Sequence, residues 1–310
     1  MRGRWLLPMV LCICASFVAA QTVRDNGSEL RPTGKGWGEA DPHGNAKPAG
    51  GKSGNGIVYH GGPLLLNTVP VYYIWYGTWN GSGANGTNPV SDSSTTTTLL
   101  SNFIGGLSGS PYEHINTTYY NGSNVHVSGK LNLNSSVSDS YSRGSALSDS
   151  DIQAIVAAHA GHDLPYDTSG IYFVLTSSDV NETSGFCTKY CGWHTHATIS
   201  GGDIKFSFVG NPDRCPSACE EQTTSPNNDS GGDGMASIIA HESEEAISDP
   251  DLNAWYDRRG AENADKCAWT FGTESTAANG SKYNVVLGGI QFLIQQNWVN
   301  ANGGYCAMSF

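Results

Sequence analysis

The pattern of apolar and polar positions predicts strands at several places along the chain. Residues 69–76 form an apolar run rich in β-branched and aromatic side chains, and residues 170–176 form another, as is typical of buried strands. Residues 205–210 alternate between polar and apolar side chains, which predicts a strand with one buried face. Two stretches interrupted by glycine, residues 112–127 and 130–138, are also predicted to be extended.

Apolar side chains recur at helical spacing in three other segments. These are residues 99–107, residues 149–159, which begin with acidic capping side chains, and residues 233–249. In the third segment Asp233 is the predicted N-cap, and Pro250 ends the helix. We therefore expect a short buried helix of about three turns there.

The order of these elements predicts the fold class. Strands come first, an isolated apolar helix follows, and residues 283–287 and 291–298 predict a C-terminal hairpin with a Gly-Gly turn. This order indicates an α+β fold with a mixed β-sheet core and no internal repeat. Residues 21–56 are rich in Gly, Pro and polar side chains and are predicted to form a disordered or loosely attached arm. Residues 57–310 are then a single domain.

The third predicted helix carries a polar motif on an otherwise apolar segment. His241 and Glu245 are four residues apart, so on a helix they lie one above the other and can reach the same point in space. Glu242 is rotated by about 100° and approaches that point from the side. The spacing matches the His-Glu-x-x-His zinc helix with a carboxylate as the second ligand, which zinc accepts. The simpler alternative is a surface helix with a solvated acidic face.

A catalytic zinc site needs a third protein ligand and one position for water. Glu262 and Asp265 are the preferred candidates, because a disulfide at Cys267 would fix their loop. Glu242 would take a proton from the metal-bound water, which then attacks a peptide carbonyl. The acids of residues 249–265 are alternatively a structural calcium site, since calcium prefers several oxygen ligands. The reserve candidates for metal ligands are Asp249, Asp251 and His194.

The first 20 residues have the features of a secretory signal peptide. Arg2 and Arg4 precede an apolar run, and small residues precede Gln21. The run is too short to span a bilayer and no later segment is apolar enough, so we expect a secreted protein without a membrane span. The net charge of −12 and the absence of Lys/Arg runs argue against nucleic acid as a partner.

Six cysteines follow the predicted signal peptide, and an even number in an oxidising compartment predicts three disulfides. A zinc site is the alternative for the two Cys-x-x-x-Cys motifs, but export favours disulfides. The cysteine spacing leaves several pairings open. The predicted pairs are Cys187–Cys191, Cys215–Cys219 and Cys267–Cys306.

Asn-x-Ser/Thr sequons are dense in this chain. A single sequon can occur by chance, but nine of them predict a glycosylated surface on an exported protein. The sequons begin at Asn26, Asn80, Asn85, Asn116, Asn121, Asn134, Asn181, Asn228 and Asn279.

Several short motifs follow one another between about residue 57 and residue 250. They are Gly61-Gly62-Pro63, residues 72–77, Phe103-Ile104, residues 172–176, Phe186-Cys-x-x-x-Cys-Gly-x-His194, residues 208–211 and Cys215-Pro-x-x-Cys219. In this order they resemble the secreted EXORDIUM-like, phosphate-induced protein family. The resemblance implies an extracellular protein of the apoplast or cell wall, linked to growth control, without an agreed biochemical activity.

The His-Glu-x-x-Glu helix and the block at residues 253–267 differ from the plant members of that family. They resemble microbial relatives with a His-Glu-x-x-Glu-Ala-x-x-Asp-Pro segment, which are in turn similar to zincin metallopeptidases. This second resemblance implies a zincin-like fold and a secreted zinc peptidase with an extracellular protein or cell-wall substrate. The alternative is a non-catalytic extracellular protein that acts at the cell wall or in growth signalling, in which any metal is structural.

Overall fold

A computed structural model describes residues 24–25, 29–35, 56–81 and 92–310. The predicted signal peptide and most of the predicted arm lie outside these residues. The centre of the fold is a five-stranded sheet of β1 (Val69–Tyr76), β2 (Leu131–Asp139), β3 (Ile171–Thr176), β4 (Gly192–Ile199) and β5 (Gly202–Val209). The strand order is β2-β1-β3-β5-β4. β4 is antiparallel to β5 at one edge, and the other neighbours are parallel. The predicted mixed sheet is therefore confirmed, whereas the zincin-like assignment stays a prediction.

Helices cover the sheet. They are α1 (Ser94–Leu107), α2 (Asp149–His159), α3 (Pro216–Cys219) and α4 (Ser230–Ser248), with 3-10 turns at Glu113–Thr118, Pro212–Arg214 and Asp265–Cys267. Every residue of β3 is buried, and successive side chains point to opposite faces, so both faces of the sheet are covered. α2 packs against β3 and β5, α1 packs against β2, and α4 packs against α1, β4 and β5.

Short strand pairs join the connecting segments. The antiparallel pairs are Arg24–Asp25 with Glu29–Leu30, Val58–Tyr59 with Trp255–Tyr256, Ser275–Thr276 with Lys282–Tyr283, Val285–Leu287 with Ile290–Phe292, and Asn297–Val299 with Tyr305–Ala307. Ala146–Leu147 pairs in parallel with Asn181–Glu182. The predicted C-terminal hairpin is present, with Leu287 opposite Ile290 around the Gly-Gly turn. Among the described residues, no helix is long and apolar enough to cross a membrane.

The prediction of a strand over residues 112–127 is wrong. A 3-10 turn occupies Glu113–Thr118 instead, and only an isolated bridge between Tyr120 and His126 is extended. Tyr112, Ile115 and Tyr119 are all buried and are spaced three or four residues apart. Their inward packing therefore follows a helical period, which the aromatic content of the segment concealed.

The predicted start of α4 is also wrong. Asp229 is the N-cap, because its side chain accepts a hydrogen bond from Gly232 N, and Asp233 instead accepts from Asn227. The helix therefore has 19 residues and is longer than the three turns predicted. Three glycines lie in its first turns. Because glycine has a low helix propensity, the sequence pattern did not predict that these turns are helical. The glycines also allow close packing, since a Cβ at Gly234 would lie 2.9 Å from Pro212.

Three disulfides are present: Cys187–Cys215, Cys191–Cys219 and Cys267–Cys306. The third pair is as predicted, but the two predicted local pairs are wrong. Cys215 precedes the short helix α3 and Cys219 ends it, and each of them is bridged to a cysteine of another segment. Both meet the segment 187–191, with Cα–Cα distances of 5.8 and 5.6 Å. The two bridges together tie the start of β4 to α3.

Part of the predicted arm contacts the domain. The carbonyl oxygen of Gly34 accepts a hydrogen bond of 2.9 Å from His194 N, so the segment 31–35 lies along the edge strand β4. Lys35 Nζ lies 2.6 Å from Asp149 Oδ2 and 2.7 Å from Ser184 Oγ. A Cβ at Gly34 would lie 1.8 Å from His194 O, so only glycine fits this approach.

Seven of the predicted glycosylation sites lie in the described residues. Asn80, Asn134, Asn228 and Asn279 are exposed, and Asn121 and Asn181 are partly exposed. Asn116 is fully buried, and its Nδ2 donates to Glu244 O at 3.1 Å. A glycan on Asn116 is incompatible with this packing, so that site is removed from the predicted set. Asn26 and Asn85 lie outside the described residues.

Candidate metal centre

The edge strand β4 presents a histidine to helix α4. Gly192 and His194 are alternate residues of β4 and therefore point to the same face of the sheet. A Cβ at Gly192 would lie 2.5 Å from Ile238 Cγ2 and 3.2 Å from Glu242 Oε1. The missing side chain at Gly192 thus lets α4 approach the strand closely, and His194 lies directly beside the acidic part of the helix.

Helix α4 contributes the three residues of the sequence motif. His241 Nε2 lies 3.1 Å from Glu245 Oε1, as expected for residues one turn apart. On the other side of the same carboxylate, Glu245 Oε2 lies 3.5 Å from His194 Nδ1. Glu242 Oε2 lies 3.3 Å from the same Nδ1 atom. The Glu245 carboxylate therefore lies between two imidazoles, and the predicted general base Glu242 faces one of them.

The loop after α4 contributes two more carboxylates, which are the preferred third ligands of the sequence analysis. Glu262 Oε1 lies 3.5 Å from His194 Nε2, and Asp265 Oδ1 lies 3.7 Å from His241 Nε2. The loop is held by its own backbone, because Asp265 N donates to Glu245 Oε1 and Glu262 N donates to Asp265 Oδ2. The Cys267–Cys306 disulfide follows directly.

The three reserve candidates for metal ligands, which are His194, Asp249 and Asp251, lie in three different surroundings. His194 is at the centre of the cluster. Asp249 is buried, and its Oδ1 accepts hydrogen bonds of 2.6 Å from the backbone N–H groups of Asn253 and Ala254. Asp251 lies in a separate, partly exposed group, where its Oδ1 is 3.8 Å from His196 Nδ1 and 3.3 Å from Lys205 Nζ. The sequence motif alone did not single out His194, although its place on a strand with buried neighbours was a usable signal.

Among the described residues, the acids suggested as a calcium site contact different partners and do not surround a common point. Asp257 Oδ2 pairs with Lys266 Nζ at 3.2 Å, and its Oδ1 accepts backbone N–H groups of its own loop. Asp249 caps the turn after α4. Glu262 and Asp265 instead face the imidazoles. A mixed set of imidazoles and carboxylates suits zinc or manganese better than calcium, which takes oxygen ligands.

Burial and mutual charge shift the pKa values of the cluster. Burial alone would lower the pKa of His194, but the carboxylates of Glu262, Glu242 and Glu245 outweigh it and hold that pKa well above its usual range. Burial would raise the pKa of Glu245, but the imidazoles of His241 and His194 hold it at about 2. Burial raises the pKa of Glu262 well above its usual range. The cluster is therefore a place where several buried carboxylates require positive charge.

Two buried atoms of the cluster have no hydrogen-bond partner among the described residues. They are His194 Nε2 and Glu262 Oε1, which face each other at 3.5 Å. The N–O separations in the whole cluster, from 3.1 to 3.7 Å, resemble the edges of a tetrahedron around zinc, which are about 3.4 Å for bonds of about 2.0–2.1 Å. The residues present therefore fit a metal ion.

Helix α4 also contributes Glu244 to a second pair of buried acids, whose other member is Glu113 in the 3-10 turn. Glu244 is adjacent to Glu245 in sequence, but its Oε2 accepts a hydrogen bond of 2.6 Å from Asn297 Nδ2, and its other neighbour is Glu113. Both carboxyl groups are fully buried. Burial raises the pKa of Glu113 to about 8 and that of Glu244 well above its usual range. A strand over residues 112–127, as the sequence pattern predicts, does not bring Glu113 next to Glu244, so the pair is visible only in the structure.

We expect a Glu113→Gln variant to be more stable than the wild type near pH 8, by about 4 kcal/mol. In the unfolded chain Glu113 ionises near its ordinary pKa of 4.5, but in the folded protein it ionises only at about 8. The wild type therefore loses stability as pH rises between these values, whereas the amide has no proton to lose. Urea unfolding at pH 4 and pH 8 measures the difference. Equal stability of variant and wild type at both pH values would contradict the prediction.

The family of the chain follows from comparison with known proteins. The family model described as "Phosphate-induced protein 1 conserved region" matches residues 57–306. The chain belongs to this family. It is 30% identical to Protein EXORDIUM-like 3 of Arabidopsis thaliana, over 78% of this chain and 80% of that protein.

Other EXORDIUM-family proteins match at similar identity. Protein EXORDIUM-like 5 of Arabidopsis thaliana is 31% identical, over 81% of this chain and 77% of the relative. Protein PHOSPHATE-INDUCED 1 of Nicotiana tabacum is 29% identical, over 64% of this chain and 67% of the relative. No solved structure matches. The EXORDIUM-like resemblance seen in the sequence motifs is confirmed.

Proposed function

We propose that this EXORDIUM-like protein acts outside the cell as a non-catalytic protein of the cell wall or of growth signalling, and that the cluster around Glu245 is a structural metal centre. The observation that carries the proposal is the closure of the cluster. His194, His241, Glu242, Glu245 and Glu262 are each only 1% exposed. A catalytic zinc keeps one position open for water and substrate, whereas a structural site is closed by protein ligands.

The placement of the ligands supports a structural role. His194 belongs to the edge strand, His241 and Glu245 belong to α4, and Asp265 belongs to the following loop. A bound cation would join these three parts of the chain and would balance carboxylates that are costly to bury together. Zinc or manganese would supply this charge and a fixed coordination geometry when bound.

The extracellular part of the proposal rests on disulfides and on the family. Three disulfides are typical of proteins in an oxidising compartment. Names of the relatives state no enzymatic activity. A cavity of about 550 Å³ lies beside the Cys187–Cys215 bridge, and its lining includes Asn181 and Arg214 but none of the metal-centre residues. We therefore propose that a partner is recognised at the surface of the protein, for example at this cavity, and not at the metal centre.

A secreted zinc peptidase is the second candidate function. It is favoured by the motif on α4, in which Glu242 lies beside the proposed ligands in the order of a metallopeptidase helix. In that case Glu242 would accept the proton of an attacking water. The position of Glu242, 3.3 Å from His194 Nδ1, instead resembles a ligand or a hydrogen-bond acceptor.

The test uses the full chain produced in a secretory host. We expect purified wild type to contain zinc or manganese by mass spectrometry, to melt at a lower temperature after chelation, and to leave a denatured protein substrate intact. Wild-type hydrolysis that disappears in Glu242→Gln would overturn the non-catalytic proposal in favour of the peptidase. Hydrolysis that persists in Glu242→Gln would indicate a contaminant. A folded wild type without metal would overturn the structural metal centre.

A further inference from the structure

The metal centre consists of two overlapping sets of ligands rather than one. Within the described residues, one set is His241, Glu245 and Asp265, and the other is His194, Glu242 and Glu245. The two sets share only Glu245. We infer that the centre holds two metal ions bridged by the Glu245 carboxylate, an inference that rests on the proposed metal-binding function.

The first position is formed around Glu245 Oε1. His241 Nε2 lies 3.1 Å from this oxygen and 3.7 Å from Asp265 Oδ1. Asp265 N also donates to Glu245 Oε1, which fixes the orientation of the carboxylate. All three side chains are buried, so a cation in this position is enclosed by one imidazole and two carboxylates.

The second position is formed around Glu245 Oε2. His194 Nδ1 lies 3.5 Å from this oxygen and 3.3 Å from Glu242 Oε2. On the far side of the same ring, Nε2 faces Glu262 Oε1 at 3.5 Å. A histidine that binds a metal through one ring nitrogen usually donates its other N–H to a carboxylate, which sets the tautomer and the ring orientation. Glu262 lies on the side from which such a carboxylate approaches, which agrees with His194 Nδ1 as the ligand atom.

A single ion does not account for both imidazoles. Each imidazole faces a different oxygen of Glu245, and each has its own additional carboxylate, Asp265 for His241 and Glu242 for His194. One ion in the first position would leave the second set of donors without a metal ion, although His194 Nδ1 lies buried 3.3 Å from Glu242 Oε2 and 3.5 Å from Glu245 Oε2. Two dications balance the carboxylates on both sides of the bridge. The oxygen-rich donor sets with one imidazole each suit manganese or zinc.

The experiment measures metal stoichiometry in the full chain after loading with manganese alone or zinc alone. The variants are His194→Ala and His241→Ala, with His162→Ala as the matched control, since His162 is exposed and belongs to neither set. We expect two equivalents in the wild type and in the control, and one equivalent in each of the other variants. With manganese, we expect an exchange-coupled electron paramagnetic resonance spectrum in the wild type and an isolated-ion spectrum in each single variant. His194→Gln and His241→Gln, which keep more of the side-chain volume, replace any alanine variant that circular dichroism shows to be unfolded.

The possible outcomes separate the inference from the function on which it rests. One equivalent in the wild type, lost in both variants or in only one of them, would overturn the two-ion centre and leave the structural metal centre intact. Folded wild type without bound metal would overturn both. Two equivalents without magnetic coupling in the manganese protein would contradict the bridge.

Discussion

A Glu245→Gln protein is expected to lose all of its bound metal and to melt roughly 10 °C below the wild type. The carboxylate of Glu245 faces His241 through one oxygen and His194 through the other, and it also accepts the N–H of Asp265. The glutamine side chain has the same shape as glutamate but carries no negative charge. Its NH2 group would face a metal ion or the N–H of Asp265, where the carboxylate has an oxygen. Removing one partner of a buried charged network costs about 3–5 kcal/mol. Metal content and thermal unfolding of the same preparation measure both effects.

The adjacent residue provides the matched control for this prediction. Glu244 is also fully buried on α4, but it contacts Asn297 and Glu113 rather than the imidazoles. We expect Glu244→Gln to retain the metal and to be at least as stable as the wild type at pH 7, since burial raises the pKa of Glu244 well above its usual range. If Glu244→Gln loses metal as completely as Glu245→Gln, the loss reflects general damage to α4 and the assignment of Glu245 is wrong.

Removal of both Cys187–Cys215 and Cys191–Cys219 is expected to lower the free energy of unfolding by about 5–6 kcal/mol. Each bridge joins residues separated by 28 positions, and a loop of that length corresponds to about 3–4 kcal/mol for the first bridge. The second bridge closes a much shorter remaining loop and contributes about 2–3 kcal/mol. A variant without Cys191 and Cys219 should therefore lose less than half of the total. Denaturant unfolding of the alanine variants measures these differences.

Thiol titration of the same variants checks the pairing directly. In Cys191→Ala/Cys219→Ala the Cys187–Cys215 bridge remains, so we expect no new free thiol. Under the local pairing predicted from the sequence, the same substitutions would leave both Cys187 and Cys215 unpaired. Free thiols in the denatured variant, at the level expected for two cysteines, would contradict the structure.

Local pattern was sufficient wherever a segment's own side chains determine its conformation. The strands at Val69–Tyr76 and Ile171–Thr176 and the helix at Asp149–His159 match the predicted segments closely. Their apolar periodicity is strong and uninterrupted, and it agrees with the intrinsic preferences of the residues. The prediction failed at the glycine-rich start of α4 and at Glu113–Thr118, where tertiary packing rather than propensity decides the backbone.

The candidate site divides in the same way. The spacing of His241, Glu242 and Glu245 follows from the helical repeat, and the loop before Cys267, from which a third ligand was predicted, lies beside His241 through Asp265. His194 enters the site only because β4 is the edge strand beside α4 and because Gly192 allows the helix to approach. No local spacing relates residue 194 to residue 245.

The sequence by itself therefore determined the family, the mixed α+β class, the main strands and helices and the motif on α4. These features depend on residues close together in the chain or on short motifs in a fixed order. Only the tertiary structure decided that the cluster is closed to solvent, that Glu245 lies between two imidazoles, and that the cysteines of segments 187–191 and 215–219 pair across segments. Those features depend on which distant segments pack together, and the free energy of that packing comes from the whole core.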